Sequence, residues 1–162
     1  MKLGEEIKKR KPFDTREEEA LLNIVRTADQ LNADFAELFK RERISATQYN
    51  VLRILRGEAL NSGGGLSCGE IAERMVTRDP DITRLLDRLE KQRLISRCRG
   101  KTDRRVVCVH ITAAGRKLLA TLDPLVHDAH RRQLGHLGEA KLKQLIALLE
   151  EARQTTTTKE RS

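Results

Sequence analysis

The chain contains few of the residues that give a protein core variety or that cross-link a chain. Its 162 residues include three phenylalanines, one tyrosine, no tryptophan, three cysteines and three prolines. Aromatic residues make up 2% of the sequence and charged residues 35%. A core with so few aromatics has to be built from Leu, Ile, Val and Ala, a composition that suits long amphipathic helices. The length is sufficient for one domain with a modest core.

Long apolar runs are missing as well. No stretch approaches the ~18 consecutive apolar residues of a membrane-spanning helix. Residues 1–5 contain no apolar segment of the kind that a secretory signal needs. We therefore expect no membrane association and a cytoplasmic location. Three cysteines cannot all pair within one chain, and cytoplasmic cysteines stay reduced, so we expect free thiols.

Negative charge is in deficit. The chain has 32 Lys and Arg against 24 Asp and Glu, a formal net charge of +8 at pH 7, which points towards nucleic acid or an anionic surface rather than towards a fold. Residues 66–110 hold 11 basic and 7 acidic residues, half of the chain's excess. By itself such a run is most often only a solvated face. A second basic run, residues 8–12, is either a solvated tail or a supplementary phosphate contact.

Two helices are predicted one after the other in the central stretch. Ser67 and Glu70 have the Ser-x-x-Glu spacing of a capping box, which marks a helix start. After a short turn, Asp79 is a suitable N-cap and Pro80 a suitable first residue for a second helix. Its apolar residues recur at the spacing of a helix buried on one side: Ile82, Leu85, Leu86 and Leu89. The opposite face is largely basic, so the pattern predicts a helix-turn-helix.

A charged hairpin is predicted directly after the second helix. Leu94 and Ile95 open one β-prone run, and Val106, Val107 and Val109 form the other. Between them lies a basic loop that contains glycine, the arrangement of a β-hairpin. A basic hairpin after a helix-turn-helix is a wing, able to reach a DNA groove beside the one that the helix enters. This order of elements favours DNA binding over a merely solvated charged surface.

With these elements in place, the sequence resembles the MarR (multiple antibiotic resistance regulator) family of winged-helix transcription factors. The matching segments are residues 81–90 (DITRLLDRLE), Leu94-Ile95-x-Arg97, Asp103-Arg104-Arg105 and residues 111–115 (ITAAG). The resemblance extends more weakly over about residues 17–153. It implies a mainly α fold: a winged helix-turn-helix with a small β-hairpin wing, flanked by N- and C-terminal dimerisation helices. One departure is Arg93, where the family usually has a glycine, the residue that most easily adopts the left-handed conformation at a helix end.

We predict a single MarR-type domain over residues 1–153 and a disordered tail over residues 154–162. The winged helix-turn-helix spans about residues 47–111, between dimerisation helices at about 14–42 and 112–153. Apolar faces left over on those outer helices indicate an association surface. Polar and helix-breaking residues set the other boundaries: helix starts at Asp14, Thr47 and Thr112, a loop over residues 57–65, a kink or interruption at Pro124 and a break near residues 135–138.

Nine residues are candidate DNA contacts: Ser67, Arg78, Thr83, Arg84, Arg88, Arg97, Asp103, Arg104 and Arg105. Arginine can hold guanine O6 and N7 with two hydrogen bonds, and threonine can contact a thymine methyl group. These properties suit the residues at the front and on the outer face of the second helix. Ser67 lies at a helix N-terminus, where backbone donors suit a phosphate.

The wing residues take their roles from the resemblance. It implies that Asp103 orients the wing, that Arg105 enters a minor groove and that Arg104 lies on a phosphate nearby. A guanidinium suits a narrow, electronegative minor groove. A plain surface pair between Asp103 and Arg105 is the alternative. Which arginines read bases and which hold phosphates stays open at this point.

The sequence therefore predicts a sequence-specific transcriptional regulator, in the first place a repressor, that binds a pseudo-palindromic double-stranded operator as a homodimer. An architectural DNA-binding protein and a protein–protein interaction module are the alternatives. No Ser-His-Asp, Cys-His or paired-carboxylate arrangement stands out, so we expect that the protein is not an enzyme. The resemblance implies release of DNA by a small aromatic or phenolic effector, but no residue identifies such a ligand.

Two sets of residues give weaker signals. Cys98 and Cys108 flank the wing loop on opposite predicted strands, and Cys68 follows a helix N-cap, where a thiolate is favoured. Redox sensing is one interpretation, and three ordinary thiols are the favoured one. Peroxide-sensing members of the family carry a cysteine near the N-terminal helix, and this chain has none before Cys68. His127 and His130 have a spacing that suits zinc. No cysteine or carboxylate cluster accompanies them, so we expect no metal and no other cofactor.

Overall fold

A computed structural model describes residues 2–78, 81–99 and 107–154. Its helices are α1 (Leu3–Glu6), α2 (Arg16–Arg41), α3 (Ala46–Asn61), α4 (Cys68–Arg74), α5 (Ile82–Lys91), α6 (Ala113–Leu134) and α7 (Gly138–Gln154). Two strands, β1 (Ile95–Arg99) and β2 (Val107–Ile111), form an antiparallel hairpin. This order confirms the predicted mainly α fold with a β-hairpin wing. The chain divides into two compact units, Met1–Asp123 and Pro124–Ser162.

Aliphatic side chains form the core of the first unit, as the composition predicts. The largest fully buried side chains are Val51, Leu52, Leu55, Leu66, Ile71, Leu86, Leu89, Val109, Leu119 and Leu122. The aromatic residues add one cluster, in which the ring of Phe39 lies 6.1 Å from that of Phe35 and 4.9 Å from that of Tyr49. That cluster joins α2 to α3. None of the helices in the described ranges is long and apolar enough to cross a membrane.

The first long helices begin one or two residues away from their predicted starts. Thr15 caps α2 by accepting a hydrogen bond from the N–H of Glu18 at 3.1 Å. Asp14 lies one residue before this cap, and its N–H donates to the Glu18 carboxylate at 2.8 Å. Ser45, and not Thr47, caps α3. Where several capping residues stand close together, tertiary packing decides which of them ends the non-helical segment.

The second helix of the predicted helix-turn-helix, α5, also begins later than predicted. Its N-cap is Asp81, whose carboxylate accepts a hydrogen bond from the N–H of Arg84 at 3.0 Å. The helix therefore starts at Ile82, and the predicted start at Asp79 and Pro80 is wrong. Both of those residues lie outside the described ranges. Asp81 is the cap because its carboxylate accepts a hydrogen bond from a backbone N–H in the first turn of the leucine-bearing helix.

The predicted loop over residues 57–65 is mostly helix, because α3 continues to Asn61. Gly57 lowers helix propensity by about 1 kcal/mol relative to alanine. The buried side chains of Leu52 and Leu55 hold this part of α3 in the core nevertheless. The loop is reduced to residues 62–65, where Gly63 has a φ of 67°.

The sheet register places the wing strands. Arg97 lies opposite Val109, and Cys98 opposite Cys108. On its other side Val109 exchanges two hydrogen bonds with Leu66, at 2.7 and 3.1 Å. Since those bonds use the N–H and C=O of Val109, the Arg97–Val109 pair is a non-hydrogen-bonded pair of the hairpin.

The junction between α5 and β1 keeps the turn of the resembling family without its glycine. Arg93 has a φ of 59°, in the left-handed region. The N–H of Leu94 reaches the carbonyl of Leu89 at 3.0 Å, as in a Schellman cap. An arginine therefore occupies a conformation that is costly for residues with a Cβ atom.

Thr112 opens α6 as predicted, and the Thr-x-x-Gly pattern has a packing reason. The hydroxyl of Thr112 accepts a hydrogen bond from the N–H of Gly115 at 3.1 Å and lies 2.8 Å from the carbonyl oxygen of Arg93. A Cβ atom on Gly115 would overlap the carbonyl oxygen of Leu94. Glycine is therefore required where α6 passes the start of the wing.

Of the kink or interruption predicted at Pro124, the interruption is wrong, because α6 runs continuously through this residue. Proline removes one backbone hydrogen-bond donor from a helix, and here the helix continues without it. The boundary between the two compact units also falls at this residue. The predicted break near residues 135–138 is confirmed by a 3-10 turn at Gly135–Leu137 and by Gly138, whose φ is 73°. Of the predicted tail, residue 154 belongs to α7, and residues 155–162 lie outside the described part of the chain.

Candidate nucleic-acid interface

The first helix of the helix-turn-helix begins with the predicted capping box. The N–H of Ser67 donates to the Glu70 carboxylate at 2.8 Å, and the N–H of Glu70 donates to the Ser67 hydroxyl at 3.3 Å. The Ser67 hydroxyl also donates to that carboxylate at 2.7 Å. These backbone and side-chain hydrogen bonds hold the pKa of Glu70 below its ordinary value. Ser67 is therefore fixed at the N-terminus of α4.

Contacts from α3 hold the rest of this motif. The Arg74 guanidinium on α4 bonds to the Glu58 carboxylate on α3 at 2.7 Å. In the turn before α5, the N–H of Val76 donates to the side-chain oxygen of Asn50 at 3.1 Å. Ile71 of α4 is fully buried. The turn and the first helix are thus attached to a helix that belongs to the core.

The recognition helix α5 has one buried and one exposed side. Leu85, Leu86 and Leu89 are buried, and Thr83, Arg84 and Arg88 are exposed. Arg78 is exposed in the turn that precedes the helix. The structure therefore brings three of the predicted contact residues together on the exposed side of α5 and leaves Arg78 exposed before it.

Arg97 is placed differently. Its guanidinium bonds to Asp87 at 2.6 Å and to Glu90 at 3.0 Å, and it lies 3.4 Å from the carbonyl oxygen of Thr83. Its side chain is 22% exposed. Burial by itself lowers the pKa of Arg97, but the bond to Asp87 and the field of Glu90 outweigh it, and the pKa is raised. Arg97 is therefore a permanent cation held against α5.

The predicted tip of the wing contains three of the candidate DNA contacts. Asp103, Arg104 and Arg105 lie outside the described residues. The hairpin is described as far as Arg99 and Val107, which lie opposite each other and are both exposed.

The outer face of the wing carries the two predicted facing cysteines. Cys98 and Cys108 are direct partners in the strand register, and the sulfur of Cys98 lies 3.2 Å from Nε2 of His110. Cys68, Cys98 and Cys108 are all free thiols, as expected. Gly65 fits beneath the His110 ring, where a Cβ atom would lie 2.5 Å from it. Within the described ranges, no three His, Cys, Asp or Glu side chains are grouped so that they could hold a metal ion.

A polar network that sequence reasoning missed joins α3 to α6. The Tyr49 hydroxyl donates to Asp123 at 2.8 Å, and Arg56 bonds to the other oxygen of the same carboxylate. Burial, together with the Asp123 carboxylate, raises the pKa of Tyr49 to about 12. Burial by itself raises the pKa of Asp123, but the bonds from Arg56 and Tyr49 lower it below its ordinary value. The partners are 74 and 67 residues apart in sequence, so no local pattern could have indicated them.

A helix-turn-helix with a basic recognition helix, followed by a two-stranded hairpin, defines a winged-helix DNA-binding protein. A family model described as MarR family matches residues 44–107. A crystal structure of a MarR transcription factor from Planctomyces limnophilus is 44% identical and covers 86% of this chain and 98% of its own, with a TM-score of 0.65. The chain belongs to the MarR family.

Named relatives have regulatory functions. The HTH-type transcriptional regulator FarR of Neisseria gonorrhoeae is 28% identical over 83% of this chain and 92% of its own length. The homoprotocatechuate degradative operon repressor of Escherichia coli is 26% identical over 72% and 76%. Proteins of this family are DNA-binding transcription regulators and not enzymes. The predictions that the protein is a DNA-binding transcriptional regulator and that it is not an enzyme are therefore confirmed.

Proposed function

We propose that this protein is a sequence-specific repressor that binds a pseudo-palindromic operator as a homodimer. The observation that carries the proposal is the two-sided recognition helix. Three buried leucines hold α5 in the core while Thr83, Arg84 and Arg88 face outwards. A helix held in this way can enter a major groove with its basic side towards the bases. The repressor role is supported by the name of the E. coli relative.

Within this surface we assign Arg84 to base reading and Arg78, Arg88 and Ser67 to phosphates or neighbouring bases. Arg84 follows the N-cap by three residues, and the N-terminal part of a recognition helix is the part that contacts base edges. In the wing, Arg105 enters the minor groove, Asp103 orients it and Arg104 lies on a phosphate. Those three assignments rest on the family pattern alone.

The outer helices supply the dimer contacts in this proposal. On α2, four large apolar side chains are between 36 and 61% exposed: Leu21, Leu22, Ile24 and Val25. On α7, three more are between 37 and 64% exposed: Leu145, Ile146 and Leu148. Exposed apolar surface of this kind is typical of an association surface. Residues 14–42 and 112–153 then dimerise within one MarR-type domain over residues 1–153.

The proposal places the protein in the cytoplasm with its DNA and allows a small-molecule effector that releases it. Footprinting of the full-length protein on the promoter upstream of its own gene tests the operator. We expect a protected, pseudo-palindromic site with two half-sites about one helical turn, or a multiple of it, apart. Equal protection of random DNA would favour an architectural protein, and no protection of any DNA would favour a protein–protein module.

A further inference from the structure

Among the described residues, one polar side chain ties the wing strand β1 to the recognition helix. Arg97 lies in the middle of β1, and its guanidinium reaches Asp87, Glu90 and the carbonyl oxygen of Thr83. These acceptors are spread along two turns of α5. We name the group of Thr83, Asp87, Glu90 and Arg97 the wing clamp.

We propose that Arg97 is a positioning residue, which through the wing clamp fixes the wing relative to the recognition helix and so sets the spacing between the side chains that read the two grooves. This role presupposes the DNA binding proposed above, and it changes the part that one predicted contact residue plays in it. Nη1 of Arg97 donates to both carboxylates, Nη2 lies 3.4 Å from the carbonyl oxygen of Thr83, and the side chain is only 22% exposed, so little of the guanidinium is left for a phosphate.

Nearer its tip the hairpin needs such a tie, because the core and the two hydrogen bonds between Val109 and Leu66 hold its base. A two-stranded hairpin is at best marginally stable alone, and each strand here has five residues. The buried side chains of Ile95, Val109 and Ile111 fix the base of the hairpin. Arg97 is the bonded residue nearer the tip on the same face, since residues two apart on a strand share a face. Its planar guanidinium reaches the two carboxylates through Nη1 and the carbonyl oxygen of Thr83 through Nη2, whereas a lysine has a single nitrogen for all three acceptors.

The carboxylate side of the wing clamp offers a test in which charge and geometry predict opposite signs. Asp87→Asn removes a negative charge from a helix that faces DNA, and by Coulomb attraction alone this strengthens binding. If Asp87 holds Arg97 in place, the same substitution weakens binding. Glu73→Gln is the matched control, because it removes one charge from an exposed residue of α4 outside the wing clamp. We expect Glu73→Gln to bind the operator as tightly as the wild type or more tightly.

Full-length variants should be titrated by fluorescence anisotropy on the footprinted operator and on a random duplex, over a series of salt concentrations. We expect Arg97→Ala and Asp87→Asn each to weaken operator binding about tenfold and the double variant to lose no more than the larger single effect, as coupled residues do. The slope of log affinity against log salt should stay at the wild-type value for Arg97→Ala, since no phosphate contact is lost. Arg97→Lys should fall between Arg97→Ala and the wild type.

Several results would overturn the positioning role. A direct phosphate contact by Arg97 would lower the salt slope of Arg97→Ala by about one and would leave Asp87→Asn binding at least as tightly as the wild type. Unchanged operator binding by Arg97→Ala would exclude any role. If Arg97→Ala does not fold, Asp87→Asn decides the question, because its side chain is 47% exposed. A wild type that binds no duplex would refute the proposed function itself, which is a different result from clamp variants that bind normally.

Discussion

Three arginines have different roles in this protein because their neighbours differ. Arg84 is exposed on α5, whereas Arg97 is bonded to two carboxylates, and Arg93 occupies a left-handed turn. The first can bind DNA, the second connects two elements, and the third bears backbone strain. Each of these differences leads to an experiment on a single position.

The strain at Arg93 predicts a stabilising substitution. Arg93→Gly should raise the free energy of unfolding by about 1 kcal/mol. The left-handed conformation costs a residue with a Cβ atom roughly 1–2 kcal/mol, and the greater conformational entropy that glycine loses on folding offsets only part of the gain. Urea denaturation measures the change. Arg93→Ala is the control, since it removes the same charge and keeps the strain. Equal stability of the glycine and alanine variants would contradict this explanation.

Tyr49 can be titrated without interference because it is the only tyrosine in the chain. Burial and Asp123 raise its pKa to about 12, so its phenolate absorbance should appear about two pH units above the ordinary midpoint near 10. Since the folded pKa lies above the unfolded value, the contribution to stability is complete below pH about 10 and is lost as the pH rises towards 12.

Asp123→Asn should lower the midpoint of the Tyr49 titration, because it removes the carboxylate that opposes phenolate formation. The direct measurement is ultraviolet absorbance of the folded protein against pH, with circular dichroism recorded in parallel to show that the fold persists. A wild-type midpoint near 10 in the folded protein would mean that Tyr49 is solvated and that the network is absent.

The elements could be predicted from the sequence in order and type but not in their exact limits. The helix-turn-helix, hairpin and outer helices follow from the leucine spacing, the capping box at Ser67 and the β-branched runs. The start of α5 was predicted too early because three acceptable start residues precede Ile82. The end of α3 was predicted too early because Gly57 suggested a loop that buried leucines override.

The wing clamp and the Tyr49 network could not be predicted from sequence patterns. Each joins residues of different elements, and their spacing depends on how those elements pack. A charged residue such as Arg97 looks the same in sequence whether it faces solvent, DNA or a carboxylate. Only the packing of β1 against α5 shows which of these it does.

The corrected start of α5 can be checked at the cap. Asp81→Ala should lower the free energy of unfolding by about 1 kcal/mol, because it removes the acceptor for the N–H of Arg84. Asp79→Ala removes the same charge two residues earlier and should change stability much less. Thermal denaturation of both variants decides between the two starts. A larger loss for Asp79→Ala would restore the earlier start.

For the whole molecule, the exposed apolar side chains of the outer helices predict a dimer. Leu145 and Leu148 lie three residues apart on one face of α7 and are 37 and 64% exposed. Replacing both by glutamate puts two charges into the proposed interface, where unpaired charge is costly. Sedimentation equilibrium should then show monomer in place of dimer. The variant Lys143→Glu, at an exposed position on the other side of α7, should stay dimeric. A double variant that is also dimeric would show that the face of Leu145 and Leu148 lies outside the interface.

The net charge of +8 on each chain predicts that DNA binding is sensitive to salt. If a dimer neutralises ~6–10 phosphates, operator affinity should fall by ~10³–10⁵-fold between about 50 and 200 mM salt. Binding isotherms at four or five salt concentrations measure this slope. A flat response would exclude contact with the phosphate backbone and with it the DNA-binding role of the surface around α5.

The most direct test of sequence-specific recognition compares the wild type with Arg84→Ala on three duplexes at one fixed salt concentration. The duplexes are the footprinted operator, the operator with exchanged flanks and a random sequence. The wild type should bind the operator at least ~10³-fold more tightly than the random duplex. Arg84→Ala should cost ~1–3 kcal/mol on the operator, should lose discrimination at one base pair and should bind the random duplex almost as the wild type does. Equal wild-type affinity for all three duplexes, or an equal loss on all three for Arg84→Ala, would contradict base reading by α5.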